Sequence, residues 1–314
     1  MPWFTIRTEI GAVNSTLRPI GDHEGHKGAV YALCVLDAAT FLSAGGDGVV
    51  VRWRVEDPEH GEALIDAGEP VYCLAFDPEQ GSVFVGTASG RLLIVDLASR
   101  KVTSESAHTK GIFRIQGTKD LGITCAGGDG VLSTWVWERP GVARPVRVRS
   151  VPLCEEKLRD LLLIKEEGIQ AVACGDGAIR LLHSTSLNEL AKAEGHAGGA
   201  TSVTVHPSKP VLISGGKDGH LKAWRMDGTC VRSLAAHKGA VYAITHHGPS
   251  DHIVTGGRDA VLKVWDPDQL DPVARSVRGG GGHTHSINAV VSCGDLVLTG
   301  SDDRRIKRWR LLDR

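Results

Sequence analysis

The sequence predicts an all-β chain folded as a ring of seven small sheets, on three observations: one phrase recurs along its length, each copy reads as short strands, and glycine punctuates the copies. The phrase is a Gly-His or Ala-His pair, an Asp about 21 residues later, and a Trp six residues after that. It runs through His26, Asp47 and Trp53; His108, Asp129 and Trp135; His196, Asp218 and Trp224; His237, Asp259 and Trp265; and His283, Asp303 and Trp309. Weaker copies pass through Ser89 to Val95 and Asp176 to Leu182. The anchors at 53, 95, 135, 182, 224, 265 and 309 are then 42, 40, 47, 42, 41 and 44 residues apart. A period of about 40–45 residues with this punctuation marks a propeller blade.

Within the first copy, residues 30–35, 40–44 and 49–53 are β-branched runs, and Gly45-Gly46-Asp47-Gly48 separates the second from the third. Short strands split by Gly/Asp turns fit tight hairpins, where glycine alone adopts φ > 0 without strain. The doublets at 127–128, 215–216 and 256–257 have the same explanation. None lies between a strand and a helix, so they are not phosphate cradles.

With these copies the chain resembles the WD-repeat family over nearly its whole length. The resemblance implies seven four-stranded blades and, inside each strong blade, a buried network of His, hydroxyl, Asp and Trp. The implied tetrads are His26-Ser43-Asp47-Trp53, His196-Ser214-Asp218-Trp224, His237-Thr255-Asp259-Trp265 and His283-Thr299-Asp303-Trp309. In the third blade Cys125 stands at the hydroxyl position, leaving His108, Asp129 and Trp135 without one. Indole donates to hydroxyl, hydroxyl to imidazole, and the other ring nitrogen to carboxylate, so all are satisfied together. A hydroxyl, a His and an Asp also make a nucleophilic triad. Recurrence in four blades is required by stability and not by catalysis, so these residues are read as structural.

The pattern departs from the family in places. Trp-Asp occurs literally once, at Trp265-Asp266; the second copy has neither the His nor the turn Asp, and the fourth keeps Asp176 but has no His or Trp. A change at Ser89 is therefore expected to be silent. Closure is expected from the ends. Residues 15–22 supply a strand that completes the last blade, residues 23–314 form the seven repeats, and residues 1–14 are an extension, with Trp3 to Ile10 free to add an edge strand, cover the ring or stay loose. Pro19 suits an outer edge strand.

Lys plus Arg number 36 against 37 Asp plus Glu, which leaves no global field to draw in nucleic acid or a membrane. No apolar stretch approaches a membrane span, and the start lacks a secretory pattern. Seven cysteines without a C-x-x-C pair read as reduced thiols in a cytoplasmic protein; Cys34, Cys73, Cys125, Cys174 and Cys293 lie in or beside apolar strands. His246, His247 and His285 read as solvated loop histidines with no completed metal shell, and no metal or cofactor is expected. The basic runs Arg304, Arg305, Lys307, Arg308, Arg310 and Arg139, Arg144, Arg147, Arg149 read as solvated faces.

Aromatic placement points to the function. The three tyrosines, Tyr31, Tyr72 and Tyr242, share one repeat position with Phe113, while the other blades place Arg159, Thr201 and Asn288 there. The resemblance implies that this position faces the top mouth of the central channel, as does the residue before the turn Asp, here Lys217, Arg258 and Asp302. Lys157 lies two residues before Arg159. The expected site is thus Tyr31, Tyr72, Phe113, Lys157, Arg159, Lys217, Tyr242, Arg258, Asn288 and Asp302, suited to a protein or peptide partner carrying acidic groups. The alternative for the aromatics is packing between blades. The reading is a monomeric, non-catalytic interaction scaffold. The alternatives are a hydrolase-like propeller enzyme, for which only Asp302 and Asn288 are candidates, and a nucleic-acid-associated scaffold, for which no base-stacking motif is present.

Overall fold

The computed structural model describes residues 15–118, 122–137, 144–278 and 281–313. The expected extension of residues 1–14 and Arg139 lie outside the described residues. β1 (Ser15–His23) precedes the first blade, which holds β2 (Val30–Val35), β3 (Thr40–Gly45), β4 (Val49–Arg54) and β5 (Asp57–Asp66). Blade 2 holds β6 (Val71–Asp77), β7 (Ser82–Thr87), β8 (Arg91–Asp96) and β9 (Val102–Ser106). Blade 3 holds β10 (Ile112–Thr118), β11 (Gly122–Gly127), β12 (Val131–Val136) and β13 (Val146–Pro152). Blade 4 holds β14 (Leu158–Ile164), β15 (Ile169–Cys174), β16 (Ala178–His183) and β17 (Glu189–Glu194). Blade 5 holds β18 (Ala200–Val205), β19 (Val211–Gly216), β20 (His220–Arg225) and β21 (Cys230–Ala235). Blade 6 holds β22 (Val241–His247), β23 (His252–Gly257), β24 (Lys263–Trp265) and β25 (Pro272–Arg275). Blade 7 is β26 (Ile287–Cys293), β27 (Leu296–Ser301) and β28 (Ile306–Asp313), completed by β1.

Each sheet is antiparallel and runs outward from its first strand, except that β1 takes the outer place in blade 7. The inner strands of successive blades touch all the way round, β26 closing on β2. The second strands β7, β15 and β19 are buried at every residue, because both faces meet a neighbouring blade, whereas the outer strands β9 and β17 are largely exposed. The apolar residues accordingly cluster at the seams. Phe41 and Trp53 of blade 1 pack with Leu296, Leu298 and Ile306 of blade 7, and Ile213 and Leu221 of blade 5 pack with Ile253 and Trp265 of blade 6. No blade buries its core alone.

Closure rests on β1. It pairs with β28 in a register that sets Leu17 opposite Leu311, Pro19 opposite Trp309 and His23 opposite Ile306, with an irregularity between Pro19 and Gly21. His23 carries the strand into blade 1. Its ring lies edge-on to Phe41 and Trp53 at 5.1 and 5.3 Å, and Nε2 donates to the Arg54 carbonyl at 3.0 Å. Two residues expected on a solvated basic face are instead buried here. Lys307 donates to the Asp22 carboxylate at 2.6 Å, and Arg308 Nη1 donates to the Val55 carbonyl at 2.5 Å. A cation that reaches a carboxylate on the paired strand, or a carbonyl across the seam to the next blade, can be buried at tolerable cost, whereas an unpaired one could not. His247 also departs from the solvated reading. It ends β22, is buried, and bonds Ser292 Oγ through Nδ1 at 2.8 Å, while its neighbour His246 turns to Asp251.

Removing residues 1–23 is expected to leave the outer edge of β28 unpaired and the Phe41–Trp53 pocket open. The truncated protein should aggregate or lose on the order of several kcal/mol in urea denaturation. An unchanged melting temperature would show that β1 does not close the ring.

Candidate functional site at the channel mouth

The buried networks set the frame for the mouth. Ser43 Oγ accepts from the Trp53 indole at 2.7 Å and bonds His26 Nε2 at 2.6 Å, while His26 Nδ1 meets Asp47 at 2.8 Å. Ser214, Thr255 and Thr299 occupy the same place, with indole and imidazole contacts of 2.7–2.8 Å. Each Asp also accepts backbone N–H groups from the loop after its His, such as Lys27 at 2.8 Å and Thr284 at 3.1 Å. The network therefore ties the inner-strand entry of a blade to its hairpin turn.

Blade 3 has a hydroxyl that sequence reading missed. Ser133 bonds His108 Nε2 at 2.9 Å and accepts from Trp135 at 3.0 Å. It lies directly across the ladder from Cys125, so the hydroxyl has moved from the second strand to the third. A Ser two residues before the Trp was the available signal. The two weak blades replace the network. In blade 2 Glu69 supplies the carboxylate, accepting from Ser89 N and Oγ at 2.8 and 2.7 Å and from Arg91 Nε at 2.7 Å, so Ser89 has side-chain partners in a copy read as lacking a network. In blade 4 Asp176 pairs with Arg180 at 2.9 Å.

Protonation follows from this bonding. Nδ1–H donates to the carboxylate and Nε2 accepts the hydroxyl proton, which assigns a neutral imidazole. Burial drives His108 and His196 below the ordinary histidine value despite their facing carboxylates. Burial opposes ionisation of Asp259 and Asp303, but the imidazole and two backbone donors outweigh it and hold both carboxyls at about 2.

The mouth is built by one backbone device repeated seven times. In every inner strand the pairing register slips at the second residue: at Tyr31, Tyr72, Phe113, Arg159, Thr201, Tyr242 and Asn288. A bulged residue leaves the ladder and its side chain is re-aimed. All seven line one cavity of about 500 Å³ at the ring axis, together with Lys157 and Asp302. The residue just after each second strand, at the hairpin turn, is tied back to the inner-strand entry in each blade, as by Gly46 N to the Ala29 carbonyl and Arg258 N to the Ala240 carbonyl, both at 2.8 Å. Lys217 and Arg258 occupy this rim turn and are exposed, but they do not line the cavity.

The aromatic side chains form a ladder through blades 1 to 3, capped by Arg159 of blade 4. Tyr31 meets Tyr72 edge-on at 5.8 Å, and Tyr72 stacks on Phe113 at 5.1 Å with the rings 12° apart. The Arg159 guanidinium covers Phe113 at 4.5 Å and Lys157 approaches the same ring at 5.4 Å. The small neighbours seat the rings more than they expose them: a Cβ at Gly111 or Gly128 would come within 2.7 or 2.8 Å of Tyr72 or Phe113. The rings are half-buried, touching across blade boundaries while lining the cavity. Burial lowers the Arg159 pKa, and its Nε has no hydrogen-bond partner. Across the cavity Asn288 donates to Asp302 at 2.8 Å and to the Val30 carbonyl at 3.1 Å. Thr201 turns its hydroxyl to the Gly215 and Val241 carbonyls and stitches blade 5 to blade 6.

Sequence reading missed Arg114 and Asp160, one residue beyond Phe113 and Arg159. They pair at 3.1 Å in the cavity wall. Asp160 accepts from Leu161 N and Val203 N at 2.9 Å, yet burial pushes its pKa up. Both cavity carboxylates are thus engaged, Asp160 by Arg114 and Asp302 by Asn288.

A ring of seven four-stranded blades with these networks is a propeller, and comparison with known proteins gives its family. The family model described as "WD domain, G-beta repeat" matches residues 17–54, 187–225, 228–266 and 275–310. The chain belongs to the WD-repeat β-propeller family. The matched segments contain the four blades whose hydroxyl sits on the second strand, and the unmatched stretch holds the three whose network is rebuilt. The chain is 21% identical over 276 residues to "Eukaryotic translation initiation factor 3 subunit I" of Caenorhabditis elegans, covering 66% of this chain and 84% of that one. Its fold is similar to the "WD40 beta propeller domain of Doa1", with a TM-score of 0.80 and 18% identity over 93% of this chain and 96% of that chain.

Ser133→Ala should cost about 1–3 kcal/mol, since it leaves a buried indole donor and imidazole unpartnered. Adding Cys125→Ser should recover most of the loss by restoring a hydroxyl at the position blades 1 and 5 use. Urea melts of the two variants decide it; no recovery would mean the hydroxyl cannot move back across the ladder.

Stability should also fall in two stages on acidification. His108 and His196 have depressed pKa values, so their contribution is complete above about pH 6.5 and declines below it. Asp259 and Asp303 contribute on the order of 2 kcal/mol each above about pH 4, lost as pH falls towards 2. A melting temperature that is flat from pH 7 to pH 5 would contradict the neutral imidazoles.

Proposed function

We propose that the ring is a non-catalytic protein-interaction platform whose channel mouth binds a peptide segment carrying an acidic group beside an apolar side chain. The observation that carries this reading is the aromatic ladder ending in Arg159, a cation with an unpartnered Nε at a cavity wall. An apolar side chain would pack on Tyr31 and Tyr72, and a carboxylate would take charge-assisted hydrogen bonds from Arg159 and Lys157. Exposed Lys217 and Arg258 on the rim would speed the encounter with an acidic partner. The relative named as a subunit of a translation initiation factor is by that name part of an assembly, which supports a scaffold over an enzyme. Seven unpaired cysteines suit a reducing, cytoplasmic location. No helix among the described residues is long and apolar enough to cross a membrane.

Affinity capture from the native host with quantitative mass spectrometry tests the site. Tyr31→Ala, Tyr72→Ala and Arg159→Ala should each reduce capture of the mouth-bound partner about tenfold or more while keeping a folded ring, as hot-spot truncations do. Arg258→Glu should slow association and weaken its salt dependence. Variants that stay folded and capture every wild-type partner would move the interaction to the sides or bottom of the ring. Tyrosine variants that unfold like core truncations would make the ladder inter-blade packing.

A further inference from the structure

Blade 4 lacks the histidine network, and two cysteines stand in its place. Cys154 is 22 residues before Asp176, the interval that separates His196 from Asp218 and His237 from Asp259. The backbone marks the same register. Leu153 N donates to the Gly130 carbonyl at 2.9 Å, as Ala236 N, beside His237, donates to Gly219 at 2.9 Å. Cys174 lies two residues before Asp176, where blades 3 and 5 carry Gly127 and Gly216. A Cβ at either glycine would come within 2.2 Å of the His Nδ1. Loss of the imidazole in blade 4 therefore opens the space that the Cys174 side chain fills.

The result is a facing pair. The Cys154 and Cys174 sulfurs and an Asp176 carboxylate oxygen all lie within 4.8 Å of one another. Cys154 is half-exposed in the connection before β14, and Cys174 is buried at the end of β15. We propose that Cys154 and Cys174 form a reversible dithiol–disulfide pair oxidised by hydrogen peroxide, with Cys154 the attacking thiolate and Cys174 the resolving thiol. The Cys154 sulfur attacks one peroxide oxygen, the O–O bond breaks, and a sulfenic acid and water result. The Cys174 sulfur then attacks the sulfenic sulfur, the S–S bond forms, and hydroxide leaves with the Cys174 proton as a second water. Two thiols and one peroxide give one disulfide and two waters.

The surroundings fit this division of labour. The Cys174 thiol facing Cys154 holds the Cys154 pKa down to about 7, helped by Arg180, while the Cys174 pKa is pushed up by the same contact and by burial. An accessible sulfur with thiolate character is the reactive partner. A divalent metal is disfavoured by the same groups. Asp176 is already paired with Arg180 at 2.9 Å and accepts from Ala178 N at 3.1 Å, and a guanidinium beside the sulfurs opposes a dication.

The test uses the full chain, reduced, desalted and treated with hydrogen peroxide at neutral pH, followed by non-reducing peptide mapping. The expected product is a Cys154–Cys174 cross-link that dithiothreitol reverses. Before oxidation, iodoacetamide should alkylate Cys154 about tenfold faster than the exposed Cys230. Cys154→Ser should abolish the cross-link, and Cys174→Ser should leave a sulfenic acid on Cys154 that dimedone traps. If Cys174→Ser does not fold, wild-type mapping and the variant at the half-exposed Cys154 decide the matter. The proposal is overturned if peroxide over-oxidises Cys154 without a cross-link, if Cys230 reacts first, or if stoichiometric zinc co-purifies and depends on Cys154.

Discussion

Apolar burial in this protein happens between blades and not within them, and everything else depends on that constraint. A four-stranded blade has two faces and no interior, so Trp53 needs Leu296 and Leu298 of blade 7 as much as Trp265 needs Ile213 and Leu221 of blade 5. A row of such seams has two open ends unless it closes, because each terminal blade would show an apolar face to water. β1 removes the ends by pairing with β28 while His23 plugs into blade 1. The buried Lys307 and Arg308 belong to the same closure, and their partners, Asp22 on β1 and Val55 of blade 1, lie far away in sequence.

The polar networks are the second layer of this order. Each places a Trp, a hydroxyl, an imidazole and a carboxylate where an unpaired group would cost about as much as a small cavity. The blades show which part is obligatory. Blade 3 moves the hydroxyl to Ser133, blade 2 draws its carboxylate from Glu69, and blade 4 meets its turn Asp with Arg180. The residue types change and the tie between hairpin turn and neighbouring backbone remains, because the rim of the ring is made of those turns. In blade 4 the substitution also frees volume, and a pair of thiols occupies it.

Function is carried by a position more than by a motif. The bulge at the second residue of each inner strand turns seven side chains into one cavity, so any residue type there becomes part of the mouth. Four aromatics and Arg159 make that wall apolar with a cationic end. Asn288 with Asp302, and Arg114 with Asp160, settle the remaining polar groups among themselves.

The sequence by itself determined the repeat, the number of blades and the all-β architecture, because these follow from local periodicity and fixed spacing, and its resemblance to the WD-repeat family implied the four tetrads with their hydroxyl on the second strand. It also brought the tyrosines to one repeat position. Contacts formed across the ladder or across a seam were decided only by the tertiary structure. Ser133 was invisible as a network member because its equivalence to Ser43 exists only in the pairing of β11 with β12. Glu69 reaches Ser89 from a loop 20 residues away, and Lys307 and Arg308 read as surface cations until β1 and blade 1 are laid against them. Cys154 and Cys174 meet for the same reason: sequence spacing gives a residue's place within a blade, but only packing shows which space a missing imidazole leaves open.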